Sequence, residues 1–154
     1  MEIKNLKYDN FPLRGKVGEL IAKSHIPYSS RVDELSPSYF YKEFSFGILP
    51  EKIRDFLIKY RKSFDLFRFV VSEDGYLLKE IEIYEVKTQV EGRNHLPAIT
   101  NKSLFVYNQA QILGIKAKTV LIIFFDNWHY NISVNEFDSK SFELNDGNKK
   151  QYNF

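Results

Sequence analysis

Two carboxylates and one lysine in a short stretch of the chain are the residues best suited to chemistry. Asp65, Glu85 and Lys87 lie in FDLFRFVVSEDGYLLKEIEIYEVKTQ, which runs from Phe64 to Gln89. Two carboxylates held opposite one another repel, so such a pair usually exists because a cation lies between them. If the fold brings Asp65 and Glu85 together, we therefore expect a cation-binding site with a lysine beside it.

The same stretch is predicted to form two antiparallel strands. Asp74-Gly75 favours a tight reversal because both residues tolerate positive φ. Pairing Phe67 with Ile83, and Phe69 with Ile81, gives a continuous apolar face. A slip of one residue would set the phenylalanines beside glutamates, which a buried face does not tolerate. The favoured register therefore requires a longer loop or a bulge at the turn.

This register puts Asp65 directly opposite Glu85, with Lys87 two residues further along the same face. The three ionisable groups thus continue a face that is otherwise apolar. An ordinary structural role is the alternative: Asp65 and Lys87 form a salt bridge at the end of the sheet, and Glu85 is solvated.

Length and composition predict one domain, 1–154, with its core at about 15–134, because a chain of 154 residues builds one hydrophobic core but hardly two. Hydrophobic residues make up 44% and charged residues 27%, the balance of a soluble folded protein. The longest apolar run, Val120 to Phe125, is too short to span a bilayer, and the first residues lack the apolar segment of a signal peptide. We therefore expect a cytoplasmic, non-secreted protein without membrane contact.

Cysteine usage and net charge narrow the remaining function classes. The absence of cysteine excludes disulfides and thiolate metal sites. A net charge of +2 permits a nucleic-acid partner but does not require one. Composition alone does not reveal the function.

The stretch GKVGELIAKSHI predicts a first helix before the hairpin. It starts at Gly15, and Pro27 ends it. Its apolar stripe is formed by Val17, Leu20, Ile21 and Ser24. Glu19 lies beside this stripe rather than opposite it, and a solvent-facing helix residue is the alternative to a ligand at this position.

Two further helices are predicted at 50–62 and 101–113. In the later one, Phe105, Gln109 and Ile112 share a stripe, so that Gln109 points inward. The outward cations of the earlier one are Lys52, Arg54, Lys59, Arg61 and Lys62. A solvated face is the favoured interpretation of these cations, and a phosphate-contacting surface is the alternative.

The order of the elements predicts an α/β fold in which a central mixed β-sheet is flanked by helices. The remaining segments are an irregular arm (1–13), a loop (28–38), a strand (Tyr39–Phe46), a loop (90–100), a strand buried on both faces (118–125), a returning strand (128–134) and a polar, frayed tail (138–154).

These residues, in this order, resemble the PD-(D/E)xK nuclease superfamily over about Gly15 to Val134. The resemblance rests on Glu19, Asp65 and Glu85-Val86-Lys87, followed by a helix and a buried strand. Its strongest part is IYEVKTQ, which is similar to the third core strand of the family. The sequence departs from the family at the motif's proline, where Phe64 stands instead. The resemblance implies a restriction-endonuclease-like core (α-β-β-β-α-β) with an extra helix inserted around 50–62.

The resemblance also implies a function: a metal-dependent nuclease that hydrolyses phosphodiester bonds, in DNA, as an endonuclease or a Holliday-junction-resolvase-like enzyme. Its Mg²⁺ or Mn²⁺ would be bound by Asp65, Glu85 and the backbone carbonyl of Val86, and Glu19 would bind a second metal ion directly or through water. Lys87 would orient the attacking water or stabilise negative charge on the phosphate. The expected partner is DNA, and a homodimer is expected for duplex cleavage.

Two residues are second candidates under the same resemblance. Gln109 and Thr88 would contact the substrate or the waters of the metal. For Gln109, a satisfied buried amide or a surface position is the alternative. For the chain as a whole, the alternatives are a catalytically inactive nuclease-fold protein that acts as a nucleic-acid-binding or interaction domain, and a structural α/β domain in which the motif is coincidental.

Overall fold

The computed structural model of the chain describes residues 11–92, 96–126 and 129–145. In these ranges a five-stranded mixed sheet carries helices on both faces, which confirms the predicted α/β class. The helices are α1 (Phe11–His25), α2 (Glu51–Tyr60) and α3 (Asn101–Ile112). The strands are β1 (Ser30–Arg31), β2 (Leu66–Val71), β3 (Leu78–Val90), β4 (Ala98–Thr100), β5 (Lys116–Phe124), β6 (Tyr130–Glu136) and β7 (Glu143–Asn145). None of the helices within these ranges is long and apolar enough to cross a membrane.

The β2–β3 hairpin has the register that its hydrophobic pattern predicts. Phe67 pairs with Ile83 and Phe69 with Ile81, and the register shifts between Val70 and Val71. This shift is the irregularity that the sequence requires near the turn, where Gly75 has a φ of +83°. The alternation of apolar and polar residues therefore determines how the two strands pair.

The strands of the large sheet are ordered β1-β2-β3-β5-β6, with β3 and β5 parallel and α3 between them in the chain. Neighbouring β1, β2 and β3 are antiparallel, as are β5 and β6. β5 lies between two strands of the sheet, as expected from the apolar run 118–125, but only one face is fully buried: Leu121 and Ile123 on the other face are half-buried. β4 and β7 form a separate two-stranded parallel sheet.

Each face of the sheet has its own apolar core. On one face, Ile83 packs in a cluster with residues of α2 and α3. On the other, Tyr84 and Leu66 pack with Ala22 of α1. α1 comes very close to β3, since a Cβ built on Gly18 would lie 2.3 Å from Cγ2 of Thr88. Glycine at this position is therefore what allows the helix to approach the strand.

The prediction of a strand at Tyr39–Phe46 is wrong. Pro37–Tyr41 forms a 3₁₀ turn, and beyond it Phe44 and Gly47 make an isolated bridge. The aromatic residues that suggested a strand instead pack as a cluster, in which Tyr39 lies edge-on to Phe40 and to Phe44. The strand at this edge of the sheet is the short β1, which lies inside the loop predicted at 28–38.

Both ends of the chain differ from the prediction. α1 begins at Phe11 rather than Gly15, and residues 1–10 of the predicted arm lie outside the described residues. In α1 the predicted stripe is shifted: Leu20 and Ser24 are exposed, while Ala22 is fully buried. In the tail, β7 pairs with β4 inside the predicted loop 90–100, and Phe142 is buried, so residues 138–145 are held to the fold by a strand pairing and one buried side chain rather than frayed. Residues 93–95 and 146–154 also lie outside the described residues.

Candidate functional site

Asp65 and Glu85 meet where β2 begins. Asp65 immediately precedes β2, and its N–H donates a hydrogen bond to the carbonyl of Tyr84 at 2.9 Å. Its carboxylate Oδ2 accepts one from the N–H of Val86 at 2.7 Å. The half-buried Asp65 side chain is therefore turned onto β3, next to Glu85, as the register predicts.

Glu85 is buried, with 8% of its surface exposed, and is held from two sides. The hydroxyl of Tyr107 donates a hydrogen bond to Oε1. The ammonium of Lys87 lies 3.1 Å from Oε2. The alternative in which Asp65 pairs with Lys87 and Glu85 is solvated is therefore wrong in both parts.

The acidic pair has one lysine for two carboxylates. Burial raises the pKa of Asp65, and the negative charges of Glu85 and Glu19 raise it further. The hydrogen bond from Val86 and the charge of Lys87 act in the opposite direction but do not compensate, so that the pKa is raised to about 8. The arrangement thus favours either a proton on Asp65 or a cation beside it.

This shift predicts a pH dependence of the metal-free protein. Because the pKa is 3.8 in the unfolded chain and raised to about 8 in the folded state, the proton on Asp65 stabilises the fold fully below about pH 4. That contribution is lost as the pH rises through 8. Asp65→Asn keeps an acceptor for the N–H of Val86 but has no proton to lose, so it stays neutral as the pH rises. Both proteins are measured in EDTA. We expect the difference in the free energy of unfolding, Asp65→Asn minus wild type, to increase from about pH 5 to about pH 8.5. A difference that is constant or falls over this range would contradict the shift.

Tyr107 is a site residue that the sequence interpretation missed. It is fully buried on α3 together with Val106 and Ala110, whereas Phe105 and Ile112 of the predicted stripe are 49% and 75% exposed. The predicted stripe is therefore wrong. The signal was present as a second stripe: Ser103, Val106, Tyr107 and Ala110 have the i, i+3, i+4, i+7 spacing of a buried helix face. Burial and the negative charge of Glu85 raise the pKa of Tyr107, so its hydroxyl stays protonated and can donate.

Removing that hydroxyl is expected to destabilise the fold. Tyr107→Phe leaves buried Glu85 without its hydrogen-bond donor, and hydrogen bonds to charged groups contribute about 1.5–3 kcal/mol. We expect the free energy of unfolding to fall by about 2 kcal/mol in urea titrations at pH 7. Tyr76→Phe is the matched control, because Tyr76 is 68% exposed. Equal stabilities of the two variants would show that the Tyr107–Glu85 contact contributes nothing.

Glu19 lies near the Asp65–Glu85 pair but forms an ion pair with Arg31. Its Oε1 is 3.4 Å from Nε of Arg31, which lies on β1 and was not identified from the sequence. Glu19 and Asp65 line the same polar cleft of about 390 Å³. Among the residues that the structure describes, no three Asp, Glu, His or Cys side chains converge to hold a metal ion. Glu19 is therefore an electrostatic neighbour of the site in this geometry rather than a third converging carboxylate.

The two second candidates lie away from the acidic pair. Thr88 is on the opposite face of β3 from Glu85 and Lys87, because side chains alternate along a strand, and it packs against Gly18 of α1. Gln109 is half-buried on α3, two residues beyond Tyr107, which rotates it by about 200° round the helix. The structure thus brings neither side chain to the Asp65–Glu85 pair.

The donor set fits a hard divalent cation with few protein ligands. Asp65 and Glu85 supply carboxylate oxygens, and the N–H of Val86 points to the strand edge that carries Asp65. Donor and acceptor of one residue face the same neighbour in an antiparallel ladder, so the Val86 carbonyl faces this edge too. Mg²⁺ usually keeps several waters and needs one or two carboxylates, which this set provides.

A second buried carboxylate on β3 offers a contrast. Glu82, on the opposite face, is bound by Tyr84, by Arg68 and by Lys118 at 3.0 Å. Burial opposes its ionisation, but these hydrogen bonds outweigh burial and lower its pKa. Glu82 is thus neutralised by side chains within the fold, whereas Asp65 is not.

Comparisons of the chain with models of protein families, with curated proteins and with solved structures give no match.

Proposed function

We propose that this chain is a Mg²⁺- or Mn²⁺-dependent nuclease of the PD-(D/E)xK type that hydrolyses phosphodiester bonds in DNA. One observation carries the proposal. The Asp65 carboxylate, bonded to the Val86 N–H, adjoins the buried Glu85, and Lys87 contacts Glu85 at 3.1 Å. Asp65, Glu85 and Lys87 match the family motif, and a single β-hairpin holds their side chains next to one another.

The order of the elements supports the same conclusion. If α2 and the short β4 are set aside as additions, α1, β1, β2, β3, α3 and β5 have the α-β-β-β-α-β order of a restriction-endonuclease-like core. α2 and its following 3₁₀ turn would then be the insertion expected around 50–62. Asp65 precedes β2, and Glu85 and Lys87 lie on β3, the strand that resembles the third core strand of the family.

The metal would be held by carboxylate oxygens of Asp65 and Glu85 and by the carbonyl of Val86, with Glu19 acting through water. When bound, such a cation polarises a phosphoryl oxygen and lowers the pKa of a coordinated water. The contrast with Glu82 supports this assignment. A buried carboxylate that is part of the fold is neutralised by Arg68 and Lys118, whereas the Asp65–Glu85 pair has one lysine for two acids.

The remaining steps belong to side chains of the chain itself. Lys87 is half-buried, and its ammonium is kept in place by Glu85, so it can donate a hydrogen bond to a phosphoryl oxygen as negative charge develops there. Tyr107 holds Oε1 of Glu85 and thereby orients the carboxylate. Asp65 is oriented by the backbone of Val86. Because these groups are fixed before substrate binds, little reorganisation is needed during the reaction.

A cleavage assay tests the proposal. Supercoiled plasmid, linear duplex, single strands, a four-way junction and a single-stranded RNA are incubated with the protein in Mg²⁺, Mn²⁺ or EDTA. Glu85→Ala and Lys87→Ala are run beside the wild type. We expect cleavage of a DNA substrate that requires metal and is lost in both variants.

Two results would overturn the proposal. They are no cleavage of any substrate, and cleavage that survives both substitutions. Binding of DNA without cleavage would instead favour the inactive nucleic-acid-binding domain. Cleavage of RNA alone would keep the chemistry and correct the substrate. The plasmid and junction arms separate an endonuclease from a junction-specific enzyme, and sedimentation of the active protein tests the expected homodimer.

A further inference from the structure

The insertion between β1 and β2 contributes two cations to the cleft beside Asp65. The cleft of about 390 Å³ is lined by Glu19, Leu35, Arg61, Lys62, Phe64 and Asp65. Its acidic side belongs to the candidate metal site. Its basic side comes from the 3₁₀ turn Arg61–Ser63, which follows α2 directly.

The five cations of this segment have different surroundings. Arg54 is paired with Asp55 at 3.3 Å and lies over the ring of Tyr41. Lys59 lies over the ring of Tyr60. Arg61 and Lys62, in contrast, line the cleft. Arg61 and Lys62 are therefore the two cations of the set that lie beside the candidate site.

Arg61 is oriented before any ligand binds. Its Nη1 donates a hydrogen bond to the carbonyl of Ile58 at 3.0 Å, and the side chain is half-buried. A guanidinium group has five N–H donors in a rigid planar fork, so this contact fixes its direction and engages one donor. Lys62 is exposed and adds a mobile positive charge at the same rim.

We propose that Arg61 and Lys62 bind a phosphate of the substrate strand next to the one that is cleaved. The inference rests on the proposed function and assigns the substrate-positioning part of that site to the insertion. A phosphodiester backbone places negative charges at regular intervals, and a strand whose scissile phosphate lies at the Asp65–Glu85 pair presents its neighbouring phosphate to the adjoining wall. Arginine suits this role because its fork matches phosphate oxygens in a bidentate geometry.

The test measures how oligonucleotide binding depends on salt. In a Glu85→Gln background with EDTA, which prevents cleavage, fluorescence anisotropy is recorded on a single strand from low to moderate salt. Each phosphate contact on a single strand contributes about 0.7 to the slope of log K against log salt. Because both cations contact the same phosphate, we expect Arg61→Gln with Lys62→Gln to reduce the magnitude of the slope by about 0.7. Lys52→Gln with Lys59→Gln is the matched control, because it removes the same charge from the same segment outside the cleft.

The outcomes are separable from those of the cleavage assay. A slope change no larger than that of the control overturns the inference, even if the wild type cleaves DNA. A slope change of the expected size, in a protein that never cleaves, keeps the phosphate site and rejects the nuclease. Lys62→Gln alone, at an exposed position, should give about half the effect and guards against misfolding of the double variant.

Strands with and without a 5′-phosphate are both used: an effect confined to the phosphorylated strand assigns the site to the terminal phosphate, and an equal effect assigns it to an internal one.

Discussion

Glu85→Gln is expected to lower the rate of metal-dependent DNA cleavage by about 10³-fold or more. Glutamine has the shape of glutamate and still accepts the hydrogen bond from Tyr107, so the fold around it is retained. It lacks the charge that, with Asp65, attracts a divalent cation. It also removes the ion pair that holds Lys87 at 3.1 Å. Both effects act on the reacting phosphate. The measurement is single-turnover cleavage in saturating Mn²⁺.

Glu80→Gln is the control for this prediction. Glu80 is an exposed glutamate on the same strand, and it pairs across the hairpin with Val70, away from the candidate site. Its removal changes the net charge of the protein by the same amount. We expect its cleavage rate to stay within about twofold of the wild type, as for surface changes away from a site. If Glu85→Gln retained a tenth or more of the wild-type rate, Glu85 would not be part of the catalytic centre.

Gly18→Ala is expected to destabilise the protein by about 1–2 kcal/mol, although alanine is the better helix former. The added Cβ would lie 2.3 Å from Cγ2 of Thr88, a distance that forces α1 away from β3 or distorts Thr88. The expected gain in helix propensity is about 1 kcal/mol and does not offset the overlap. The free energy of unfolding is measured in urea.

A double-mutant cycle makes this prediction specific. In a Thr88→Ala background Cγ2 is gone, and the nearest atoms to the new Cβ are the Cβ of residue 88 and Cδ1 of Ile122, both at 3.8 Å. There Gly18→Ala should stabilise by about 1 kcal/mol, which reverses its sign. Gly15→Ala on the same helix has no neighbour within 4 Å and should stabilise in either background. An unchanged sign in the Thr88→Ala background would show that the close approach does not limit residue 18.

The hairpin and its acidic pair could be predicted because their information is local. A two-residue alternation on both strands allows one register, and that register sets Asp65 beside Glu85 regardless of the rest of the fold. The same alternation places Lys87 on the face of β3 that carries Glu85. The sequence did not determine which of the two carboxylates pairs with Lys87, because this depends on how Asp65 turns towards Val86.

Residues that reach the site from other elements were harder to predict. Tyr107 lies on a helix with two possible stripes, and only packing against the sheet decides which is buried. Arg31 lies on a strand of two residues, too short for any periodicity to indicate. The prediction of a strand at Tyr39–Phe46 was wrong for a related reason. Aromatic residues favour strands, but the same residues also form compact ring clusters. Composition does not distinguish the two.

Titration of Mn²⁺ into the metal-free protein tests whether Asp65 and Glu85 share a divalent cation. Bound ion is counted by electron paramagnetic resonance, and proton release is followed in a weakly buffered solution. We predict a metal site whose occupancy is lost in both Asp65→Asn and Glu85→Gln and retained in Glu80→Gln. Because the pKa of Asp65 is raised to about 8, binding at pH 7 should also release a proton. If the wild type bound Mn²⁺ no more strongly than Glu85→Gln, Asp65 and Glu85 would not form a shared metal site.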